Sequence, residues 1–222
     1  MPKKKTAWRR KGLAIGLGGA LIAGTLWVGN DKLHLFPVPG YEVERVIDGD
    51  TFITKEGQRI RVASTEAPEL ANCGGPKAKA RLEELILDQP LYLKIVYQDF
   101  YHRQVSLVYS GKTFVNEQML KDGYSYYYRA SPGEIGEKLQ HASAEARKQA
   151  KGIFGPECTQ TVNPVKPQCN IKANIGQKDK IYYLPDCGVY PNVIVELFKG
   201  DQWFCTEAEA IKAGFRKPSQ CP

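Results

Sequence analysis

Several features that are common in other enzyme classes are missing from this sequence of 222 residues. No two of its six cysteines stand in a C-x-x-C spacing, so a zinc site is the weaker explanation for them. We find no serine and histidine in an arrangement that suits a nucleophilic triad. Internal repeats and low-complexity tracts are also missing. These absences argue against a zinc module, a serine-type nucleophile and a repeat array.

A net charge is also missing from most of the chain, although the total is +7. Six of the 31 lysines and arginines lie within residues 1–11, a basic segment that contains no acid. Residues 12–222 contain the remaining 25 basic residues and all 24 acidic residues, so this part of the chain is nearly neutral. Attraction to a polyanion must therefore come from a local site and not from the field of the whole molecule.

Residues 12–29 form a run of eighteen residues without a charge. This length is at the lower edge of what spans a bilayer and exceeds the usual apolar region of a cleaved signal peptide. No good cleavage site follows it, and Trp27 stands where an interfacial anchor is useful. We therefore predict a membrane-anchoring helix, with residues 1–11 in the cytoplasm and the rest outside. Secretion after signal cleavage is the alternative.

All six cysteines follow this run, and an even number on the oxidising side of a membrane predicts disulfides. Residues 30–40 form a short spacer with two prolines and a glycine. The linker at 159–167 is broken by prolines, and a small cysteine-containing domain is expected at 168–222. Within it, Thr206 and Glu209 predict a capping box, and Gly214 predicts the end of that helix.

Between the spacer and the linker, residues 41–158 alternate between strand and helix patterns. Apolar alternation predicts five strands, at 41–48, 51–54, 58–64, 91–97 and 103–110. Helical spacing predicts helices at 75–89, 112–123 and 134–152. Five strands with short helices in so few residues indicate a mainly β fold, a small barrel with helices packed outside it.

Acidic residues and arginines gather near the predicted strand ends. The stretch "RVIDGDTF" carries Asp48 and Asp50, which by themselves are compatible with a simple hairpin turn. Arg61 and Glu69 flank the next strand end, and Arg103 begins the last strand. Carboxylates suit Ca²⁺, arginines bind phosphate oxygens, and a further carboxylate can deprotonate a water. This set of residues predicts metal-assisted phosphodiester hydrolysis.

The stretches "VIDGDT", "RIRVASTEAPE" and "DFYHRQVSLVY" resemble, in order, the signature stretches of the staphylococcal nuclease (thermonuclease) family. The stretch "FVNEQMLKDGYSYYY" and the helix ending in "GIFG" fit the same family, so the resemblance covers about residues 41–158. It implies a five-stranded OB-fold barrel with packed helices. It also implies a calcium-dependent nuclease that cuts DNA and RNA to leave 3′-phosphates.

The resemblance also implies a role for each residue that matches a family motif. Metal binding falls to Asp50, Glu66 and the backbone carbonyl of Ala67, and phosphate binding with charge stabilisation to Arg61 and Arg103. Glu69 matches the general base, and Tyr101 matches a tyrosine beside the nucleotide. Asp48 matches an acid near the metal that is not a principal ligand.

Two positions depart from the family pattern. Glu66 stands in place of an aspartate and adds a methylene to a metal ligand, which Ca²⁺ tolerates better than Mg²⁺. His102 replaces a glycine and is interpreted as a turn residue. The competing hypothesis is a catalytically impaired nucleic-acid-binding module tethered to the membrane. In either case we expect a monomer that binds single-stranded or breathing DNA and RNA.

The tail resembles the small "sunset" domain of some bacterial secreted nucleases, a resemblance that brings no established function. Cys73 precedes the first helix of the nuclease-like region and Cys158 follows the last. We therefore predict a disulfide between them, which closes a loop of about 85 residues and contributes ~4 kcal/mol. The four tail cysteines are expected to pair among themselves. Free thiols, or one zinc held by the tail cysteines, remain alternatives.

Overall fold

A computed structural model of the chain describes residues 40–128 and 133–222, all within one compact unit, Val38–Pro222. The predicted anchor at 12–29, the basic segment before it and most of the 30–40 spacer lie outside the described residues. In the part of the chain that the structure describes, no helix combines the length and apolarity needed to cross a membrane.

Seven strands and two helices make up the first part of the nuclease-like region. They are β1 (Val43–Val46), β2 (Thr51–Thr54), β3 (Arg59–Val62), β4 (Thr65–Glu66), α1 (Gly75–Ile86), β5 (Leu91–Gln98), β6 (Gln104–Ser110), β7 (Thr113–Phe114) and α2 (Val115–Lys121). The main sheet has the order β1-β2-β3-β6-β5, and β7 pairs with β6. Its pairs are antiparallel except for β3 with β6, which run parallel.

The predicted barrel is not closed by a continuous ladder. β1 and β5 are the two edges of the sheet, and among the described residues these edges are joined only by the bridge between Tyr41 and Leu91. These two residues exchange backbone hydrogen bonds of 2.9 and 2.8 Å. Val43 would pair next, but the chain opposite it is the turn before β5, where Asp88 has a φ of 58°. Because a left-handed residue cannot continue a strand, the ladder stops and the seam stays open.

The helices are shorter than their sequence patterns predict. Residues 112–114 are not helical, since Thr113 and Phe114 pair with β6, and only α2 remains of the helix predicted at 112–123. The last helix of the region, α3, spans Gly133–Lys148, and a 3₁₀ turn (Gly152–Phe154) follows it. α1 begins with a proline in its first turn, where the missing N–H has no helical partner to lose.

The main core lies between the sheet and α1. Phe52 and Ile60 from the sheet, and Leu82 and Ile86 from α1, have no exposed surface and belong to one apolar cluster. Burial of each such side chain contributes roughly 1.5–3 kcal/mol. The sheet is thereby held rigidly against α1, and the loops at the ends of its strands carry the candidate site.

The remaining elements are short. They are β8 (Tyr126–Tyr127), which precedes α3 and pairs with β4, then β9 (Thr159–Gln160), β10 (Ile171–Ile175), β11 (Lys180–Tyr183), β12 (Val195–Glu196), β13 (Gln202–Phe204) and α4 (Glu207–Lys212). β10 is the centre of a three-stranded sheet, and β12 pairs with β9. The capping box at Thr206 and Glu209 is confirmed, and Gly214 has a φ of 86° just beyond α4.

Three disulfides connect the cysteines. Cys73 is bonded to Cys158 across 85 residues, as predicted. The tail cysteines pair among themselves, as Cys169–Cys205 and Cys187–Cys221. All six cysteines are therefore in disulfides, which excludes the alternatives of free thiols and of a zinc ion held by the four tail cysteines.

Candidate active site

The eight site residues that the sequence predicts line a single cavity of about 820 Å³. They are Asp48, Asp50, Arg61, Glu66, Ala67, Glu69, Tyr101 and Arg103. The turns after β1 and β5, the strands β3 and β4, and the loop after β4 contribute them. Residues up to 55 positions apart thus meet at one edge of the sheet, as the hypothesis of a common site requires.

The Asp-Gly-Asp turn aims one carboxylate into the protein. Asp48 accepts the backbone N–H of Asp50 through Oδ1 at 3.0 Å, while Asp50 itself is only 6% exposed. A Cβ on Gly49 would lie 2.6 Å from the side chains of Ala67 and Ala78, so only glycine permits this packing. The turn is therefore pressed against both α1 and the loop after β4.

Arg61 joins the two predicted metal-binding carboxylates. Its Nη1 pairs with Oδ1 of Asp50, and its Nη2 donates to Oε2 of Glu66 at 2.6 Å and to the carbonyl of Thr65 at 3.1 Å. Burial works against the charge of Arg61, but the carboxylates of Asp50, Glu66 and Asp48 together outweigh it and raise the guanidinium pKa. Arg61 is charged at any physiological pH.

Negative charge nevertheless remains in excess on this side of the cavity. Burial, and then the carboxylate of Asp50, raise the pKa of Asp48. Burial is also the main cause that raises the pKa of Glu66, and it outweighs the opposing effect of Arg61. Asp48, Asp50 and Glu66 thus share one arginine, and a cation near them would relieve the repulsion.

The donor chemistry of these residues fits a calcium ion. Asp50 and Glu66 supply hard carboxylate oxygens, and their contacts with the same guanidinium hold them close together. Over the described ranges, 40–128 and 133–222, no group of three or more acidic, histidine or cysteine side chains has the geometry of a metal site. A calcium ion here would therefore depend on backbone oxygens and water for its remaining ligands.

Glu69, the predicted general base, is exposed at the mouth of the cavity. Its backbone begins a tight turn, since its carbonyl accepts the N–H of Asn72 at 2.8 Å. A Cβ on Gly75 would lie 2.1 Å from the carbonyl oxygen of Glu69, so the start of α1 must approach this turn closely. The backbone of the base is therefore fixed, while its side chain stays open to water.

Arg103 is oriented by a residue that was missed in the sequence. Asp99 accepts Nε of Arg103 at 2.7 Å, and it also accepts the backbone N–H groups of Arg103 at 2.9 Å and Tyr101 at 3.0 Å. The guanidinium carbon of Arg103 lies 5.3 Å from the centre of the Tyr101 ring. An aspartate at the start of a tight turn was a signal that could have identified Asp99.

His102 lies in that turn with a φ of 59°, a conformation that favours glycine. Its backbone N–H donates to the carbonyl of Asp99 at 3.0 Å, and its side chain is exposed and does not line the cavity. The structure agrees with the interpretation of His102 as a turn residue.

Of the three consecutive tyrosines at 126–128, only Tyr128 lines the cavity. Tyr126 packs on Phe198, and Tyr127 packs against the cluster of Leu120 and Leu139. The cavity also has an apolar wall of residues that were not singled out in the sequence, namely Val96, Tyr97 and Phe100. The Phe100 side chain is entirely exposed.

Asn116 is a second residue that sequence reasoning missed, and no local pattern marks it. It is completely buried, its Oδ1 accepts the N–H of Val108 at 2.8 Å, and its Nδ2 donates to the carbonyls of Ala63 at 2.8 Å and Ser106 at 3.3 Å. It thus fixes the chain between β3 and β4, just before Glu66.

Comparison with known proteins identifies the family of the nuclease-like region. The model of the family described as "Staphylococcal nuclease homologue" matches residues 59–155. The thermonuclease of Staphylococcus hyicus is 31% identical over 127 residues, which cover 51% of this chain and 75% of that protein. The micrococcal nuclease of Shigella flexneri is 29% identical over 125 residues, 51% of this chain and 72% of that protein.

A third relative carries the name of an endonuclease. The endonuclease Htp3 of Saprolegnia parasitica is 33% identical over 122 residues, which cover 49% of this chain. The chain spans only 58% of the length of that relative. The family model includes six of the eight predicted site residues, whereas Asp48 and Asp50 precede its first residue. The chain belongs to the staphylococcal nuclease family.

Proposed function

We propose that the protein is a calcium-dependent nuclease that hydrolyses phosphodiester bonds of DNA and RNA to leave 3′-phosphates. The observation that carries this proposal is the meeting of two arginines, the paired carboxylates of Asp50 and Glu66, and the exposed Glu69 around one cavity. The names of its relatives, among them thermonuclease and micrococcal nuclease, support the same reaction class.

In the proposed mechanism, the arginines bind the scissile phosphate. Arg61 stands beside the carboxylates, and Arg103 is held by Asp99 through Nε, so its terminal nitrogens can bind phosphate oxygens. Both cations stabilise the additional negative charge that develops on the phosphate in the transition state. Because Arg61 is paired and mostly buried, its position is fixed before substrate arrives.

Glu69 acts as the general base toward a water molecule. It takes a proton from the water while the water oxygen forms a new bond to phosphorus. The bond from phosphorus to the 5′ oxygen breaks, and that oxygen takes a proton from solvent. The products are a 3′-phosphate and a 5′-hydroxyl. A calcium ion held by Asp50 and Glu66, with the carbonyl of Ala67, would supply Lewis-acid stabilisation of the phosphate charge.

The apolar wall of the cavity supports a preference for unpaired substrate. Tyr97, Phe100 and Tyr101 are 46%, 101% and 75% exposed and line the same cavity as the arginines. Exposed aromatic faces stack on unpaired bases without sequence preference, each contributing about 1–3 kcal/mol. Single-stranded or breathing DNA and RNA, whose bases can leave the helix, therefore suit this wall.

We place the protein outside the cytoplasm, held at the membrane by residues 12–29. We also propose that it is a monomer. The three disulfides support an oxidising compartment. A thiol reagent that cannot cross membranes, applied after reduction to intact cells, should label the protein, most readily at the exposed Cys205. Labelling only after lysis would overturn the proposed location.

The decisive experiment incubates the full chain with denatured DNA, with Ca²⁺ and with a calcium chelator. We expect cleavage only with Ca²⁺, and product ends that carry a 3′-phosphate. Glu69→Gln and Arg103→Ala should each lower the rate by about 100-fold or more with the fold unchanged. Glu56→Gln, an exposed acid in the turn between β2 and β3, is the matched control and should leave the rate unchanged.

The competing hypothesis, a binding module without catalysis, predicts a different outcome. The wild-type chain would then bind single-stranded DNA with no cleavage above the level of the Glu69→Gln variant. Equal cleavage with Ca²⁺ and with chelator would contradict the metal requirement alone.

A further inference from the structure

The tail contacts the nuclease-like region at a short 3₁₀ turn, Leu197–Lys199, which also bonds to Asn72 in the turn after Glu69. β12 pairs with β9, and the N–H of Leu197 donates to the carbonyl of Cys158 at 2.9 Å. The side chain of Glu196 accepts Nη1 of Arg147 from α3 at 2.6 Å. These bonds anchor the turn on two sides of the nuclease-like region.

Phe198, in the middle of this turn, is buried among residues of the nuclease-like region. It is 1% exposed and shares an apolar cluster with Ala146, Ile153, Phe154 and Cys158. Its ring meets the ring of Phe154 edge-on, with centroids 5.8 Å apart. A phenylalanine of the tail thus completes a core cluster of the nuclease-like region, beside the Cys73–Cys158 disulfide.

The ring of Phe198 also packs against Tyr126 of β8, which pairs with β4, the strand that carries Glu66. The Phe198 and Tyr126 ring centroids are 5.7 Å apart, and Nζ of Lys199 lies 5.2 Å from the centre of the Tyr126 ring. Tyr126 is the backbone partner of Glu66 in the short ladder between β4 and β8. This ladder has only two residue pairs, so packing on its tyrosine contributes strongly to its position.

A second contact leads from Phe198 to the loop of Glu69. The backbone carbonyl of Phe198 accepts Nδ2 of Asn72 at 3.4 Å, and Asn72 closes the turn that begins at Glu69. Phe198 therefore contacts one neighbour of the predicted metal ligand Glu66 and one neighbour of the predicted base Glu69.

We propose that Phe198 is a positioning residue, through which the C-terminal domain holds Glu66 and the Glu69 turn in the geometry that calcium binding requires. The tail is in this view a structural part of the site and not an independent appendage. The calcium part of this inference rests on the proposed function, whereas the positioning part concerns the metal-free protein as well. Residues that orient metal ligands typically change metal affinity by 10–100-fold when they are replaced.

The test compares Phe198→Ala with Phe215→Ala in the full chain. Phe215 is an equally buried phenylalanine (3% exposed) in the separate tail cluster, where it packs on Phe204 and not on Tyr126. Hydrogen–deuterium exchange of the metal-free protein, and calcium affinity by calorimetry, are measured for both variants. Phe198→Leu, which keeps most of the apolar volume, decides the question if Phe198→Ala does not fold.

We expect Phe198→Ala to speed amide exchange in residues 65–72 and 126–128 and to weaken calcium binding about 10-fold. Phe198→Leu should show a smaller change of the same kind, and Phe215→Ala should leave both measurements unchanged. Wild-type exchange in Phe198→Ala, or an equal effect of Phe215→Ala, would overturn the inference. If exchange changes as expected while the wild-type chain neither binds calcium nor cleaves DNA, the proposed function fails and the positioning contact stands.

Discussion

The backbone N–H of Ala67 donates a hydrogen bond of 2.9 Å to Oδ2 of Asp50, although the two residues are 17 positions apart. The other oxygen of Asp50 accepts the hydroxyl of Thr51 at 2.9 Å and pairs with Arg61. This carboxylate is therefore held from three sides before any ligand is present. It connects the turn after β1 to the loop after β4, and so sets the shape of the candidate metal site.

Replacing Asp50 by asparagine should remove most of the proposed activity without unfolding the protein. An asparagine can still accept the N–H of Ala67 through its amide oxygen, but it brings no negative charge to a cation or to Arg61. We expect the cleavage rate to fall at least about 100-fold and calcium affinity to fall with it.

Asp48→Asn is the matched control for that experiment, since Asp48 lines the same cavity and is predicted not to be a principal ligand. Its effect should be smaller, about 10-fold, because Asp48 orients Asp50 and is not itself a principal ligand. A larger loss in Asp48→Asn than in Asp50→Asn would reverse the assignment of the two aspartates.

His102→Gly should leave activity unchanged and stabilise the protein slightly. The φ of 59° at His102 strains any residue with a Cβ, and glycine relieves that strain while loosening the unfolded chain. We expect the free energy of unfolding to rise by less than about 1 kcal/mol. The measurement is urea unfolding together with the cleavage rate, and a large fall in rate would show that the imidazole has a catalytic role.

The contact of Glu196 with Arg147 and Lys199 should make the tail's attachment sensitive to acid. Burial tends to raise the pKa of Glu196, but the hydrogen bonds from Lys199 and Arg147 outweigh it and lower this pKa below its ordinary value of 4.5. A lowered folded-state pKa means that the charged form contributes stability above about pH 4.5, and that this contribution is lost as pH falls.

Glu196→Gln should therefore lower the free energy of unfolding at pH 7 by about 1 kcal/mol. The difference from the wild type should shrink as the pH falls below 4.5. Urea unfolding with intact disulfides at both pH values provides the measurement, with Glu56→Gln as an exposed control. A difference that is independent of pH would show that the charge of Glu196 is not responsible.

Removing the Cys73–Cys158 disulfide should destabilise the protein more than removing a tail disulfide. The bond closes a loop of 85 residues, whereas Cys187–Cys221 closes one of 34. The chain-entropy model assigns ~4 kcal/mol to the longer loop and about 1 kcal/mol less to the shorter one. Unfolding of the two double serine variants tests this order, and a reversed order would mean that packing around the tail bond dominates.

The sequence alone predicted most of the elements of the nuclease-like region and the residues of the candidate site. Alternation of apolar residues identified five of the six strands of the main sheet, because a strand with one buried face requires that period. The Asp-Gly-Asp turn and the two arginines were recognisable because they stand next to strand ends, where side chains are exposed and fixed. The Cys73–Cys158 bond was predictable from the positions of its cysteines at the two ends of one domain.

Only the tertiary structure decided how these parts support one another. The open seam at Tyr41 and Leu91, and the helix start lost to β7, depend on which backbone groups find partners across space. Local propensity does not contain that information. The orientation of Arg103 by Asp99 required the turn geometry. Asn116 bonds to Ala63, 53 positions away, and Phe198 bonds to Asn72, 126 positions away. Which groups are buried, and which hydrogen-bond partners they find, depends on the complete tertiary fold. The charged side chains of the site, in contrast, can be read directly from the sequence.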